Sequence, residues 1–458
     1  MLPPISRRSH LAATLLGVAL ATLPVGGQQG AAPASSPSLE LTYTQFTLPN
    51  GLHVILHEDH RVPIVSVNVW YQVGSARERT GRTGFAHLFE HLMFMGSGHV
   101  KYGEFDEWLE GAGGDNNAST GNDHTNYFIN VPSNALELAL FLESDRIAYL
   151  LDAMTPKTVD AQRDVVKNER RQSIENRPYG MAGVTLDEML YPEGHPYHWP
   201  VIGYMPDLTA ASYDDVVQFF RKYYTPANAS LVVAGDINTS ATRALIEKWF
   251  SEVKPGLAVE PMTIPGVALT GVQRKTITDK VQLPRLYLAW LTPRHFEPGD
   301  AALDVVADVL AGGKNSRLYK RLVYDLQIAQ SVNAFQASAQ LSSAFQIVVT
   351  PRPGHTIAEV QKVVDEEVAR LQREAPSARE LARALNQIEA SFFNRIERVG
   401  GKADQLNAYY LETGNPDWFN EDLGRYRVLS ASDIRAAAAR FLPADRRVEL
   451  IVMPEEKK

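Results

Sequence analysis

The sequence predicts an α+β protein made of two similar domains in succession. Three observations carry this. The chain has 458 residues, more than one ordinary domain of roughly 100–200 holds. Its 45% apolar and 21% charged residues are the composition of a globular chain. Strand-like and helix-like segments also run in the same order on both sides of a stretch rich in Pro and Gly, residues 254–271. The expected boundaries are a targeting segment and tail at 1–38, a first domain at 39–254, a linker at 255–271 and a second domain at 272–458. One large α+β domain with a long loop is the alternative.

The N-terminus pairs Arg7 and Arg8 with an apolar run at 11–21. That run is too short to span a bilayer and suits the core of a cleaved export signal, so a periplasmic or secreted protein is expected. No later stretch reaches about 18 uninterrupted apolar residues, so stable membrane insertion is not expected. The net charge of −8 argues against a nucleic-acid partner. The chain has no Cys, which excludes disulfides, thiolate metal ligands and a cysteine nucleophile. Any metal must be held by His and carboxylate.

Residues 43–48 and 52–56 read as two strands joined by Pro49-Asn50-Gly51, a hairpin signal. Residues 64–70 form the next strand, with Val65, Val67 and Val69 on one face. Helices follow at 84–95, closed by Gly96, then at 102–110, 134–151 and 158–176. Residues 228–236 read as a strand and 240–253 as a helix. Beyond the linker, 285–290 is a strand, and 301–310 a helix closed by Ala311-Gly312-Gly313. Long helices follow at 357–374 and 377–398, the second with Ser377 and Glu380 spaced as a capping box. Residues 447–452 are the closing strand.

The informative segment is His87-Leu88-Phe89-Glu90-His91. On a helix, i and i+4 share a face, so His87 and His91 can bind one metal ion. Glu90 lies beside them, in reach of water activated by the metal. Two imidazoles leave a zinc ion needing one more protein ligand and one open position. Glu90 can then act as general base and return the proton to a leaving amine.

On the 158–176 helix, Thr158 is the expected cap, and Val159, Val165 and Val166 point to one side. Glu169 falls on that side. A carboxylate there is either a metal ligand or half of a salt bridge. Gln162 lies on the same stripe, as a hydrogen-bond partner of a ligand or as a polar residue at the helix edge. Arg170 and Glu175 read as solvated neighbours. His53, His57, His60, His99, His124, His195 and His198 read as edge, surface or loop positions. Glu104, Asp106 and Glu107 read as a solvated helix face.

The order His-x-x-Glu-His, within Gly84-Phe85-Ala86-His87-Leu88-Phe89-Glu90-His91-Leu92-Met93-Phe94-Met95-Gly96-Ser97, resembles the pitrilysin/insulinase family, which includes mitochondrial processing peptidase. Val166-Lys167-Asn168-Glu169 and Gly312-Gly313-Lys314-Asn315-Ser316-Arg317-Leu318-Tyr319 also match, and the resemblance covers roughly 42–455. It implies two homologous domains of the processing-peptidase kind, each a mostly antiparallel sheet packed against helices. It implies a Zn2+ metalloendopeptidase with His87, His91 and Glu169 as ligands and Glu90 as catalytic base. It implies an edge strand near Asn117, Ala118, Ser119 and Thr120 that pairs with peptide substrate.

Two positions depart from the family. Gln162 stands where many relatives carry a Glu. Val323 and Gln330 stand where relatives that cleave alone carry an Arg and, seven residues on, a Tyr. Neither can supply a cation or a phenol, although Arg321 and Tyr324 lie close by in sequence. A homologous partner subunit in a heterodimer is therefore expected, with a homodimer as the alternative. A non-catalytic peptide-binding subunit is the reading from another class.

Overall fold

The structure is a computed structural model, and it describes residues 39–257 and 259–456. The targeting segment and tail expected at 1–38 lie outside these residues. Among the described residues no helix is long and apolar enough to cross a membrane.

Among the described residues, eleven strands form two sheets. The first half contains β1 (Thr44–Thr47), β2 (His53–Glu58), β3 (Ile64–Tyr71), β4 (Asp115–Thr120), β5 (Thr125–Pro132) and β6 (Ala229–Gly235). The second contains β7 (Gln273–Asp279), β8 (Arg285–Thr292), β9 (Ala329–Ala337), β10 (Ser343–Pro351) and β11 (Val448–Pro454). The sheet orders are β1-β2-β6-β3-β5-β4 and β7-β11-β8-β10-β9. With β1 set aside, the two orders superpose strand for strand. Even the sense of pairing repeats: β2 runs parallel to β6 as β7 does to β11, and the remaining pairs are antiparallel. The expected hairpin is present, with Gln45 opposite Ile55.

Each half also lends the other a helix. Ala182, Leu186 and Leu190 of the Met181–Leu190 helix pack on Tyr287, Ala289, Val448 and Leu450 of the second sheet. The Val399–Thr413 helix lies in turn on β3 and β6 of the first. There Asp404 Oδ1 accepts from Asn68 Nδ2 (3.3 Å), Trp70 Nε1 (3.0 Å) and Asn126 Nδ2 (3.1 Å). Both faces of β3 are therefore covered. Val65, Val67 and Val69 face the core as expected, and Ser66, Asn68 and Trp70 are buried on the other side.

Several expected helix limits shift. The 84–95 helix runs over Phe85–Leu92, the 102–110 helix over Glu104–Gly111 and the 134–151 helix over Leu136–Ala153. The 158–176 helix runs over Pro156–Arg170, and its cap is Thr155 rather than Thr158. Thr155 accepts from Thr158 N, and Pro156 supplies a fixed φ at the first helical position. The Ser377–Glu380 capping box is formed as expected.

Beneath the first sheet, Arg146 and Glu143 are 2% and 1% exposed and form an ion pair. The guanidinium also sits 4.4 Å from the Tyr127 ring centroid, 5.0 Å from Phe105 and 5.3 Å from Phe94. Burial still pushes the Glu143 carboxyl up, although Arg146 opposes this. Arg146→Ala would strand a buried carboxylate and should cost about 3–5 kcal/mol in chemical denaturation. A loss below about 1 kcal/mol would mean that water reaches Glu143.

Candidate metal centre

The Phe85–Leu92 helix buries Phe85, Leu88, Phe89 and Leu92 in the first core, leaving His87, Glu90 and His91 on the opposite side. Its entry is fixed by two residues that sequence reading did not single out for this role. Gly84 has φ +88°, and a Cβ there would lie 2.6 Å from Ile202 O, so only glycine fits. Glu78 accepts from Gly84 N and Ala86 N, both at 2.8 Å, satisfying donors that the first turn leaves open. Glu78 precedes the helix by several residues, and nothing in the helical spacing marks it.

The Pro156–Arg170 helix delivers Glu169. Val159 and Val166 are buried as expected, but Val165 is 44% exposed and faces outward. Glu169 is accordingly half-exposed rather than buried. Arg170, expected in solvent, is buried. Its guanidinium donates to Gly203 O at 2.6 Å and to Glu175 Oε1 at 3.2 Å. A π-helical turn, Arg171–Glu175, follows directly, and Ser173 Oγ donates to Glu169 O at 2.9 Å. Such turns are frequent beside functional sites.

The three side chains converge. Glu169 Oε2 lies 3.2 Å from His91 Nε2 and 3.6 Å from His87 Nε2. One donor atom from each residue lies within 4.8 Å of the others. Zinc bonds of about 2.0–2.1 Å in tetrahedral geometry separate ligand atoms by about 3.3 Å, so the donor set fits that ion. His87 Nδ1 is buried without a hydrogen-bond partner, which leaves Nε2 as the ring nitrogen facing the carboxylate. Burial, and then the neighbouring His91, hold the His87 pKa down at about 4, favouring the neutral imidazole that a metal needs.

Glu90 lies beside this cluster without belonging to it. Its Oε2 accepts from Thr120 Oγ1 at 2.5 Å. Burial pushes its carboxyl up, opposed first by that hydrogen bond and then by His91. Thr120 thus has a contact that the sequence did not suggest. It ends β4, the outer strand of the first sheet, which also carries Asn117, Ala118 and Ser119. Asn117 and Ser119 are exposed, whereas Ala118 and Thr120 face the Phe85–Leu92 helix. Gln162 Nε2 donates to Met95 Sδ at 2.8 Å, and among the described residues no hydrogen bond joins it to His87 or His91.

The remaining histidines stand apart from the cluster. His57 and His195, expected at edge or loop positions, are 6% exposed. His57 Nδ1 contacts Thr42 O at 2.8 Å, and His195 Nδ1 accepts from Tyr197 N at 3.0 Å.

The second half has no counterpart of the cluster. At the corresponding place its Asp300–Ala311 helix carries Asp300, Asp304 and Asp308 at successive i+4 positions. Each is already engaged: Asp300 with Arg425 (3.0 Å), Asp304 with Tyr426 (2.7 Å) and Asp308 with Arg383 (3.1 Å). Among the described residues, His87, His91 and Glu169 form the one group of His and carboxylates that gathers for a metal.

Two family models match. Residues 53–185 match "Insulinase (Peptidase family M16)", and residues 210–388 match "Peptidase M16 inactive domain". The chain belongs to the insulinase (M16) family. The engaged acidic stripe agrees with an inactive second M16 domain. Among curated relatives, the zinc protease PqqE of Helicobacter pylori is 29% identical over 419 residues, covering 89% of this chain and 92% of the relative. A "probable mitochondrial-processing peptidase subunit beta" of Arabidopsis thaliana is 22% identical, covering 89% of this chain and 77% of the relative. The crystal structure of a protease from Helicobacter pylori superposes with a TM-score of 0.83 at 28% identity, covering 90% of this chain and all of the other.

Proposed function

We propose that this M16 chain is an exported zinc metalloendopeptidase acting on peptides or unfolded protein segments. The observation that carries the reading is the meeting of His87, His91 and Glu169 with Glu90 alongside. The names of the Helicobacter relative and of the family support it. His87, His91 and Glu169 would hold Zn2+, which would supply Lewis acidity to lower the pKa of water toward about 7 and polarise a carbonyl.

The chain's own residues do the rest. Substrate backbone adds to the free edge of β4 at Asn117, Ala118, Ser119 and Thr120, which orients the scissile bond over the Phe85–Leu92 helix. Glu90 takes a proton from the attacking water at a carboxylate oxygen and hands it to the leaving nitrogen. Thr120 holds Glu90 in place. The domain limits 39–254 and 272–458 are supported by the helix Thr239–Phe250 closing the first half and β7 opening the second. Export is supported by the charged and apolar N-terminal segment.

Metal content tests the ligand assignment. Glu169→Gln should lower zinc occupancy at least tenfold more than Glu175→Gln, whose carboxylate pairs with Arg170 instead. Equal occupancy in the two variants would remove Glu169 from the site.

The second reading is a peptide-binding or zinc-bearing subunit that depends on a homologous partner chain. It is favoured by Val323 and Gln330. Val323 packs against the second core and Gln330 is exposed on β9, so neither offers a cation or phenol to substrate.

A further inference from the structure

We propose that the face of β4 turned away from Glu90 feeds a cavity that selects a large apolar side chain of the bound peptide. This rests on the peptide-on-β4 reading above. The cavity measures about 880 Å³ and lies between β3, β4, β5 and the start of the Val399–Thr413 helix. The edge strand itself lines it, through Asp115 and Ser119.

The argument is one of parity. Successive side chains of a strand point to opposite faces. On β4, Ala118 and Thr120 face the metal side, and Asp115, Asn117 and Ser119 face the cavity side. A peptide strand added to β4 follows the same alternation. Every second substrate side chain therefore points toward the cavity, and those between point toward Glu90.

The chemistry of the cavity follows from what is left unsatisfied. Most of its polar groups are spent on one another, the exceptions being Glu397 and Arg398, exposed charges that also line it. Asp404 accepts from Asn68, Trp70 and Asn126. Ser119 donates to Asn126 at 2.6 Å, and Asn130 donates to Asp115 at 3.1 Å. Asp59 is paired with both Arg61 and Lys402. The open surface beside the sheet is apolar. Val62 is 47% and Ile64 38% exposed there, beside Phe128. Phe128 sits opposite Asn117 in the β4–β5 register. The β4 residues on this face are short, so a long side chain can pass over them to reach Phe128, whereas Ala cannot. Across from the sheet, Gly400 also lines the cavity and approaches the sheet closely, since a Cβ there would meet Asn130 Oδ1 at 3.2 Å.

The test uses the mature chain carrying Glu90→Gln and loaded with zinc, so that peptide is bound without turnover. The probes are fluorescein-labelled twelve-residue Ala/Gln/Ser peptides with a single Phe walked from one position to the next. Affinity should alternate along the peptide, with Phe about tenfold tighter than Ala at every second position in the contact region. Gly400→Leu should compress that ratio to within about twofold by filling the cavity. Phe128→Ser should do the same by removing its apolar floor, and it serves if the leucine variant does not fold. Binding without alternation, or alternation that survives both variants, overturns the cavity assignment while wild-type cleavage keeps the peptidase reading. Alternating binding with no cleavage by wild-type protein does the reverse. Absence of binding by every peptide overturns both.

Discussion

Replacing Glu90 by Gln is expected to reduce peptide hydrolysis by about 100- to 10,000-fold while leaving zinc in place. The separation of the two effects is structural. His87, His91 and Glu169 are the residues whose donor atoms converge, and Glu90 is outside that set. Gln keeps the shape and still accepts from Thr120, so the helix and the strand above it should be undisturbed. What it loses is the ability to take a proton from water and return it to the leaving amine. Zinc content by elemental analysis and turnover on a mixed peptide library together read the prediction. Near wild-type turnover in metal-replete variant protein would take Glu90 out of the mechanism.

The candidate site is legible wherever its geometry is local. His87, Glu90 and His91 sit within five residues, and a helix turns that spacing into a common face. Glu169 is reachable through helix periodicity but not through burial. Val165 faces outward and Glu169 is half-exposed, because the helix presents its edge, not its buried stripe, to His87 and His91. What stayed hidden depends on partners far along the chain. Arg170 is buried because Gly203 O receives it, and Gln162 turns to Met95. The cap moved from Thr158 to Thr155 because Pro156 favours the first helical position, a local signal that was available.

The fold shows the same division. The repeated strand–helix order gave the two halves, and the duplicated sheet order bears that out. β5 was not assigned, although Tyr127, Ile129 and Val131 alternate toward the core. Its other face carries Asn126 and Asn130, and Asn126 is buried only because Asp404 arrives from the Val399–Thr413 helix. The edge strand β9 has several polar and exposed positions, a weak apolar signal for strand reading.

The purified chain alone is expected to be a weak peptidase, and a homologous partner without the zinc motif should raise its activity by about 100-fold or more. Removing one donor that stabilises a developing oxyanion typically costs about 100–1000-fold. The resemblance places two such donors, an Arg and a Tyr, at positions occupied here by Val323 and Gln330. The neighbouring cation, Arg321, is not free to replace the Arg. Arg321 is held by Glu367 at 2.9 Å and also by Glu366, so its guanidinium is already committed. Tyr324 is 73% exposed on the short π-helical segment Tyr319–Asp325, with its ring free of the second core. A second chain bearing the Arg and Tyr would complete the substrate cradle that Glu90 and the His87, His91 and Glu169 set leave open. The measurement is kcat/KM for one peptide with the chain alone, and again after titrating in a candidate partner encoded nearby. A saturable rise at equimolar partner, lost when the partner's Arg or Tyr is replaced, is the expected result. Full activity from the chain alone, unchanged by substitutions at Val323 or Gln330 and reduced by Arg321→Ala or Tyr324→Phe, would instead place the donors within this chain.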